Sequence, residues 1–344
     1  DEAIAKLKVL EEKDPNFTLI YRELGDVYYD INKFKEAAEC YEKYLKAGHS
    51  ANIPDLVRYS MTLFFLKDYN KSIEVASSGL ATNPRSPALN RLVLYNNFAL
   101  KNYDLALQAA DLLFNNSDGT KITYLDYDFY AKALRETNQY DLAKDEYLKA
   151  FALDTTQIEV IKEISEMYSS AKPADLKKSI EYYTQYANKL NGKAGVENII
   201  ALGKLYYQQG IDTVATPIAD ERLIALHNAD SVFATAVEKY PENYLGNYWR
   251  AAANVALDPE TKLGLAKPYY EATIDFALAK LDEEGNRDVR YNGTIIMCYG
   301  YLAYYYLLQN DMKSSTDYCN KILELDPNNA RAKSTLDYIK SKKK

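Results

Sequence analysis

Tyr21-x2-Leu24-Gly25-x2-Tyr28, followed by Ala37-x3-Tyr41-x2-Tyr44, is the stretch from which the fold can be read. The first group spaces its residues i, i+3, i+4, i+7, which puts them on one face of a helix. The second group does the same for a second helix, beyond a short turn. Asp14-Pro15-Asn16 closes the element before them, because proline cannot continue a helix. Pro84, Pro241 and Pro327 recur at the same place. Lys67-Asp68-Tyr69 and Lys101-Asn102-Tyr103 repeat the turn, and Phe34, Tyr69, Tyr103, Tyr140 and Met312 each stand where a second helix begins. The chain is predicted to be all-α and built from helix–turn–helix units.

A unit of about 34 residues with this pattern resembles the tetratricopeptide (TPR) repeat. In that repeat two helices, A and B, cross closely, so position 8 of helix A and position 20 of helix B must be small. Position 20 reads Ala3, Ala37, Ser72, Ala106, Ala143, Ser179, Ala229, Ala266 and Ser315. Position 8 reads Gly25, Ser60, Leu94, Ala131, Ser165, Gly203, Ala251 and Ala303, with Leu94 alone departing. Position 24, on the face of helix B toward helix A, is Tyr41, Ala76, Ala110, Tyr147, Tyr183, Phe233, Tyr270 and Cys319 in the full repeats.

The resemblance implies a right-handed α-solenoid of about eight repeats plus a final helix. The expected order is a half repeat at 1–17, repeats at 18–52, 53–86, 87–121, 122–155, 156–193, 194–243, 244–287 and 288–329, an end helix at 330–341, and a solvated tail. One continuous array is the simplest expectation. The start at Asp1 reads as the second half of a repeat, so a missing upstream helix, and an export signal with it, are expected. Three places break the period. Ser170–Asp175 and Leu257–Ala266 lengthen turns. Gln208–Arg222 is an insertion, after which Ile218–Tyr240 can form one long helix.

Charge and composition narrow the function. A net charge of −7 argues against nucleic acid, whose partners carry a basic footprint, and against an anionic membrane surface. The uncharged run from Gly293 to Asn310 carries too many tyrosines for a membrane helix and falls in repeat register. Cys40, Cys298 and Cys319 form no CxxC pair and read as reduced, buried apolar residues. With His49 and His227 as the only histidines, metal sites and His-based catalysis have little to draw on. No cofactor and no catalytic role are expected. The 33 tyrosines, against 10 Phe and 1 Trp, fill the large positions of the repeat. A phenol buries its ring while its hydroxyl stays wet, which suits a thin two-layer fold.

Proteins of this kind mostly bind other proteins along the concave helix-A surface. The positions that line it there correspond here to Tyr29, Val57, Met61, Phe64, Tyr95 and Phe98, an apolar strip, with Arg91, Lys132 and Arg135 beside it. A strip with adjacent cations suits an extended peptide or partner helix with apolar anchors and some acids. The alternative is that the cations pair with Asp26, Asp128, Glu159 and Glu166. Helix-A position 9 reads Asp26, Met61, Tyr95 and Lys132, so the asparagine clamp of chaperone-tail adaptors is not met.

Tyr248-Trp249-Arg250-Ala251 and Gly264–Tyr270 are similar to helices of bacterial cell-envelope TPR proteins. A periplasmic or envelope setting is therefore one expectation. Arg250 either binds an anion or pairs with a neighbour such as Asp258. The readings that compete with a peptide scaffold are a regulatory or sensory arm of a longer envelope protein, a glycan-binding module, and self-assembly. Self-assembly would be a homodimer through the exposed repeat end at Ile4, Leu7 and Leu10.

Overall fold

A computed structural model describes residues 2–14, 16–48, 52–116, 119 and 121–342. Pro15, His49 and the end of the tail at 343–344 lie outside them, as does the start at residue 1. The chain divides into two compact units, 1–160 and 161–344.

The first unit runs α1 Glu2–Lys13, α2 Ile20–Asp30, α3 Phe34–Lys46, α4 Ile53–Phe65, α5 Tyr69–Leu80, α6 Pro87–Ala99, α7 Tyr103–Asn115, α8 Tyr124–Glu136 and α9 Tyr140–Leu153, and α10 Glu159–Ser170 begins at its end. α2 packs on α3, α4 on α5, α6 on α7 and α8 on α9. The first helices of successive pairs, α2, α4, α6 and α8, also touch one another. One core joins α2 to α6 through Leu24, Tyr41, Tyr59, Leu63, Ala76 and Leu92. A second joins α6 to α8 through Leu94, Ala106, Ala110, Leu113 and Ala133.

The second unit holds the rest of α10, then α11 Leu176–Lys189, α12 Val196–Ile211, α13 Ala219–Lys239, α14 Leu245–Leu257 and α15 Lys267–Ala279. A 3-10 turn at Val289–Tyr291 follows, then α16 Asn292–Leu308, α17 Met312–Leu325 and α18 Ala330–Lys342. Two cores fill it, one around Ile200, Ala229 and Phe233, the other around Tyr270, Ile295, Cys298, Leu302 and Cys319. α16 buries Ile295, Cys298, Tyr299, Leu302 and Ala303 in this protein core. Among the described residues no helix is long and apolar enough to cross a membrane.

The small positions meet where the helices cross. The Ser60 and Ser72 hydroxyls are 2.8 Å apart and those of Ser165 and Ser179 3.0 Å apart, while the Ser315 hydroxyl donates to the Ala303 carbonyl at 2.8 Å. Each of these pairs joins position 8 to position 20. Leu94, the exception, is fully buried, and the residue at position 24 of its repeat is Ala110, where five of the other full repeats carry an aromatic ring. Ala3 is exposed and Ala266 precedes α15 rather than lying within it.

Five of the A–B turns share one conformation. Asn32, Lys67, Lys101, Asn138 and Asn310 all have φ near 60°. The next N–H, from Lys33, Asp68, Asn102, Gln139 or Asp311, donates back to the carbonyl five residues earlier in its helix. This is the Schellman closure of a helix C-terminus, here without glycine. The insertion at 208–222 lengthens α12 and α13 into a taller hairpin. Its loop is tied by the Asp212 carboxylate, which accepts from the Val214 and Ala215 N–H groups.

Candidate protein- and peptide-binding surfaces

In the first unit the helix-A residues expected to line a strip come from α2 (Tyr29), α4 (Val57, Met61, Phe64) and α6 (Tyr95, Phe98). Tyr29, Val57, Met61 and Phe64 lean on the core of α2 to α6 and stay partly exposed. Tyr95 is buried. Its hydroxyl donates to Asp126 at 2.8 Å and its ring stacks on Phe129 at 4.2 Å, so it supports the surface from beneath. Three rings absent from the sequence-based site complete the row. Phe34 bridges Tyr29 (5.9 Å) and Phe65 (4.6 Å), Phe65 meets Phe64 (6.0 Å), and Phe129 meets Phe98 edge-on at 5.4 Å. Phe64 and Tyr95 close the gap at 6.1 Å. Phe34 occupied a repeated position in the sequence, a signal that pointed to it; Phe65 and Phe129 had none.

The cations behave differently from the aromatic row. Arg91 grips Asp126 with two hydrogen bonds, Nε–Oδ1 at 2.5 Å and a terminal nitrogen to Oδ2 at 2.8 Å, and reaches the Lys121 carbonyl. Asp126 is fully buried and also forms the capping box of α8 with Thr123. Burial works against its charged form, but the Arg91 guanidinium, the Thr123 N–H and the Tyr95 hydroxyl outweigh this, and its pKa falls below the usual value. Arg91 is therefore a clasp between α6 and α8. Arg22 and Asp55 make the same clasp between α2 and α4, at 2.7 Å, with Asp55 in the capping box of Asn52. Lys132 donates to Asp128 at 2.8 Å, as the pairing alternative expected, and Arg135 to its neighbour Glu136 at 2.7 Å. Asp26 is taken by the Tyr41 hydroxyl (2.6 Å) and by Arg58 (3.4 Å), whose guanidinium lies 5.7 Å from the Tyr29 ring centre. Arg58 is a cation of this face that the sequence reading left out.

In the second unit Trp249 packs against Phe233, Tyr207 and Tyr248, with the Lys204 ammonium 4.5 Å from its ring centre. Arg250 binds no open anion position: it holds Asp230 through two 3.0 Å bonds and donates to the Tyr269 hydroxyl at 2.9 Å. Asp258, its expected partner, instead accepts from the N–H groups of Lys262, Leu263 and Gly264 and shapes the 258–266 turn. A cleft of about 830 Å³ opens between α16 and α18, with Val255 of α14 and Tyr270 of α15 at its inner side. At the other end of the chain, Ile4 and Leu7 of α1 lie against the first core, and of the three residues named for a dimer contact only Leu10 is exposed.

The thiols of Cys40, Cys298 and Cys319 are free and buried. Burial pushes Cys298 up to about 12 and Cys40 to about 11, which keeps both protonated and inert near neutrality. Among the described residues no group of three or more His, Cys, Asp or Glu side chains is placed to hold a metal ion.

The tetratricopeptide-repeat family model matches residues 20–47 and 298–329. No curated protein matches the sequence significantly. Among solved structures, the C-terminal part of a TPR repeat-containing protein from Cytophaga hutchinsonii is 29% identical, covers 81% of this chain and 99% of its own, and superposes with a TM-score of 0.57. A tetratricopeptide repeat protein from Parabacteroides merdae is 16% identical over 67% of this chain and 85% of its own, with a TM-score of 0.44. MamA from Desulfovibrio magneticus is 17% identical over 52% of this chain and 97% of its own, with a TM-score of 0.45. Helix pairing and the small crossing positions agree with the match at 20–47 and 298–329: the chain has the architecture of a tetratricopeptide-repeat protein.

Proposed function

We propose that this chain is a non-catalytic scaffold that holds an extended peptide or a partner helix on the helix-A face of its first unit. Tetratricopeptide repeats support a protein-interaction role in general; the placement of the ligand is our reading. The observation that carries it is the row of rings from Tyr29 through Phe34, Phe65 and Phe64, across the buried Tyr95, to Phe129 and Phe98, with Val57 and Met61 partly open beside it. Apolar and aromatic side chains in one partly exposed row on successive helices offer anchor sites of the kind that dominate binding energy. Lys132 and Arg135 are the rim cations of this site. Arg91 supports it from within, since its charge is spent on Asp126.

The test is a variant carrying Met61→Glu and Lys132→Glu, compared with wild type for capture of partners from native extract. Loss of the same captured proteins, with helicity and melting unchanged, supports the reading; equal capture removes it. An envelope setting rests on the likeness of the 248–270 stretch to envelope TPR helices, and fractionation of the native cell tests it.

A further inference from the structure

A different opening in the second unit lies off the concave helix-A surface. It is a cleft of about 610 Å³, lined by the C-terminal ends of α11 and α13, the turn after α11, and the first turns of α12. The α12 residues in it are Asn198, Ile199 and Leu202. The concave positions of that helix are Glu197, Ile200, Lys204 and Tyr207, and none of these lines the cleft. The turn is held in place. Asn191 and Gly192 take φ of 48° and 77°, the Lys193 N–H donates to the Leu190 carbonyl at 2.9 Å, and the Tyr240 hydroxyl donates to the Ala194 carbonyl at 2.8 Å. The volume falls within the ~300–1,000 Å³ of formed ligand sites.

The cleft offers both donors and acceptors. Asn198 accepts from the Tyr183 hydroxyl through Oδ1 at 3.3 Å, which leaves its amide nitrogen to donate. The Thr235 hydroxyl donates to the Ser231 carbonyl at 3.3 Å, and Tyr240 to Ala194, so both oxygens keep lone pairs that accept. Asn188 and Asn191 are exposed, and among the described residues their side chains have no partner. Each of those amides can donate and accept. Lys239 is the one charged residue lining the cleft; it is exposed and, among the described residues, makes no ion pair. Ile199, Leu202 and Val232 add half-buried apolar surface.

We infer that this cleft binds a sugar acid, a hexuronate either free or as a residue of a polysaccharide. A simple carboxylic acid only accepts and leaves the Thr235 and Tyr240 oxygens unmatched. Sugar hydroxyls donate and accept, as this lining requires. The C–H face of the ring lies on Ile199, Leu202 and Val232, and the carboxylate meets Lys239. One ammonium matches the single charge of a carboxylate, whereas a phosphate monoester carries about 1.5 to 2 negative charges. The inference uses a different unit and a different face from the binding role proposed above and does not depend on it.

The test is isothermal titration calorimetry of the full chain. The probes are glucuronate, galacturonate and trigalacturonate, with glucose, galactose, glucose 6-phosphate and hexanoate as controls. At least one uronate should bind about tenfold or more tighter than its neutral counterpart, the effect of a charged hydrogen bond. Tighter binding of trigalacturonate supports a polysaccharide residue as the source, and equal binding supports the free acid. Lys239→Gln should bring the uronate down to the affinity of the neutral sugar. Asn188→Ala/Asn191→Gly should weaken every sugar about tenfold. Its melting temperature should hold or rise, since neither side chain has a partner and glycine accepts the φ at 191 without strain. Met61→Glu/Lys132→Glu in the first unit should leave the binding unchanged, so that this site and the first can fail separately. Absence of uronate binding at millimolar concentration would overturn the inference. So would a neutral sugar or hexanoate bound as tightly as the uronate, glucose 6-phosphate bound tighter, or uronate binding that survives Asn188→Ala/Asn191→Gly.

Discussion

Gly25 lies directly against the Tyr41 ring: a Cβ placed on Gly25 would stand 2.8 Å from Cε1 of Tyr41, closer than real carbon contacts allow. Gly203 stands in the same relation to Phe233, at 2.3 Å. The pair defines how close helices A and B of a repeat approach. In the third full repeat position 24 is Ala110 and position 8 is Leu94, and both are fully buried in one core.

Gly25→Ala and Gly203→Ala are therefore expected to destabilise by about 1–3 kcal/mol through overpacking. The same change at Gly300, which faces open space, should stabilise by about 0.5–1 kcal/mol. Urea unfolding of the three variants checks the contrast. Gly25→Leu combined with Tyr41→Ala, which imitates Leu94 and Ala110, should recover part of the loss seen with Gly25→Leu alone.

The Arg91–Asp126 clasp predicts a second set of values. Arg91→Met leaves a buried carboxylate without its cation and should cost about 3–5 kcal/mol, toward the lower end because Arg91 keeps some exposure. Asp126 has a lowered pKa in the folded state, so its contribution is present above the unfolded value near 4 and is lost as pH falls below it. The stability difference between wild type and Asp126→Asn should shrink from pH 6 to pH 3 in a series of denaturant melts. A difference that stays constant across that range would remove Asp126 as the acid-sensitive group.

The shared turn conformation gives a third. Lys67 and Lys101 adopt φ of 62° and 63°, a region that costs an L-residue about 1–2 kcal/mol relative to glycine. Lys67→Gly and Lys101→Gly should each stabilise by about 0.5–1 kcal/mol, after the greater freedom of glycine in the unfolded chain is allowed for. Asn32→Gly should change little, since asparagine tolerates this conformation. Thermal melts of the three separate the cases.

The buried thiols give a fourth, on the alkaline side. Cys298 has its pKa raised by burial to about 12, so the protonated, stable form is complete below the unfolded value near 9. Its contribution is lost as pH rises from there toward 12. Cys298→Ala should lose less stability than wild type between pH 8 and pH 11. A soluble aromatic disulfide reagent should label the three thiols at pH 8 only at the rate of local or global opening, and rapidly in denaturant.

What could be read from the sequence follows from how each feature is encoded. Positions 8 and 20 are steric demands on single residues, so Ser60, Ser72, Ala131 and Ala143 marked the helix crossings without any knowledge of distance. The long helix after the insertion was legible because the stretch lacks a breaker once Pro217 is passed, and α13 runs from Ala219 to Lys239. The fate of charges was legible only in part: Lys132 pairs with Asp128, one of the acids offered for it, but the partners of Arg91 and Arg250 were not foreseen. Arg91 and Asp126 are 35 residues apart, and a charge at a groove-lining position reads the same whether it faces a ligand or a buried carboxylate. Arg250 shows this too, since its partner Asp230 lies on the preceding helix pair rather than in the adjacent turn. The turn at 280–291, with its Leu281–Arg287 bridge, departs from the repeat and carried no periodic signal.

The central claim is that partners are held on the helix-A face of the first unit, and site-specific photocrosslinking tests it most directly. A photoreactive phenylalanine would replace Met61 in one variant and Ser77, exposed on the helix-B side of α5, in another. Both would be irradiated in native extract and the adducts mapped by mass spectrometry. The account predicts adducts from position 61 that converge on one peptide segment of a partner and are absent from position 77. Adducts of equal yield from both positions, or from position 77 alone, would contradict it.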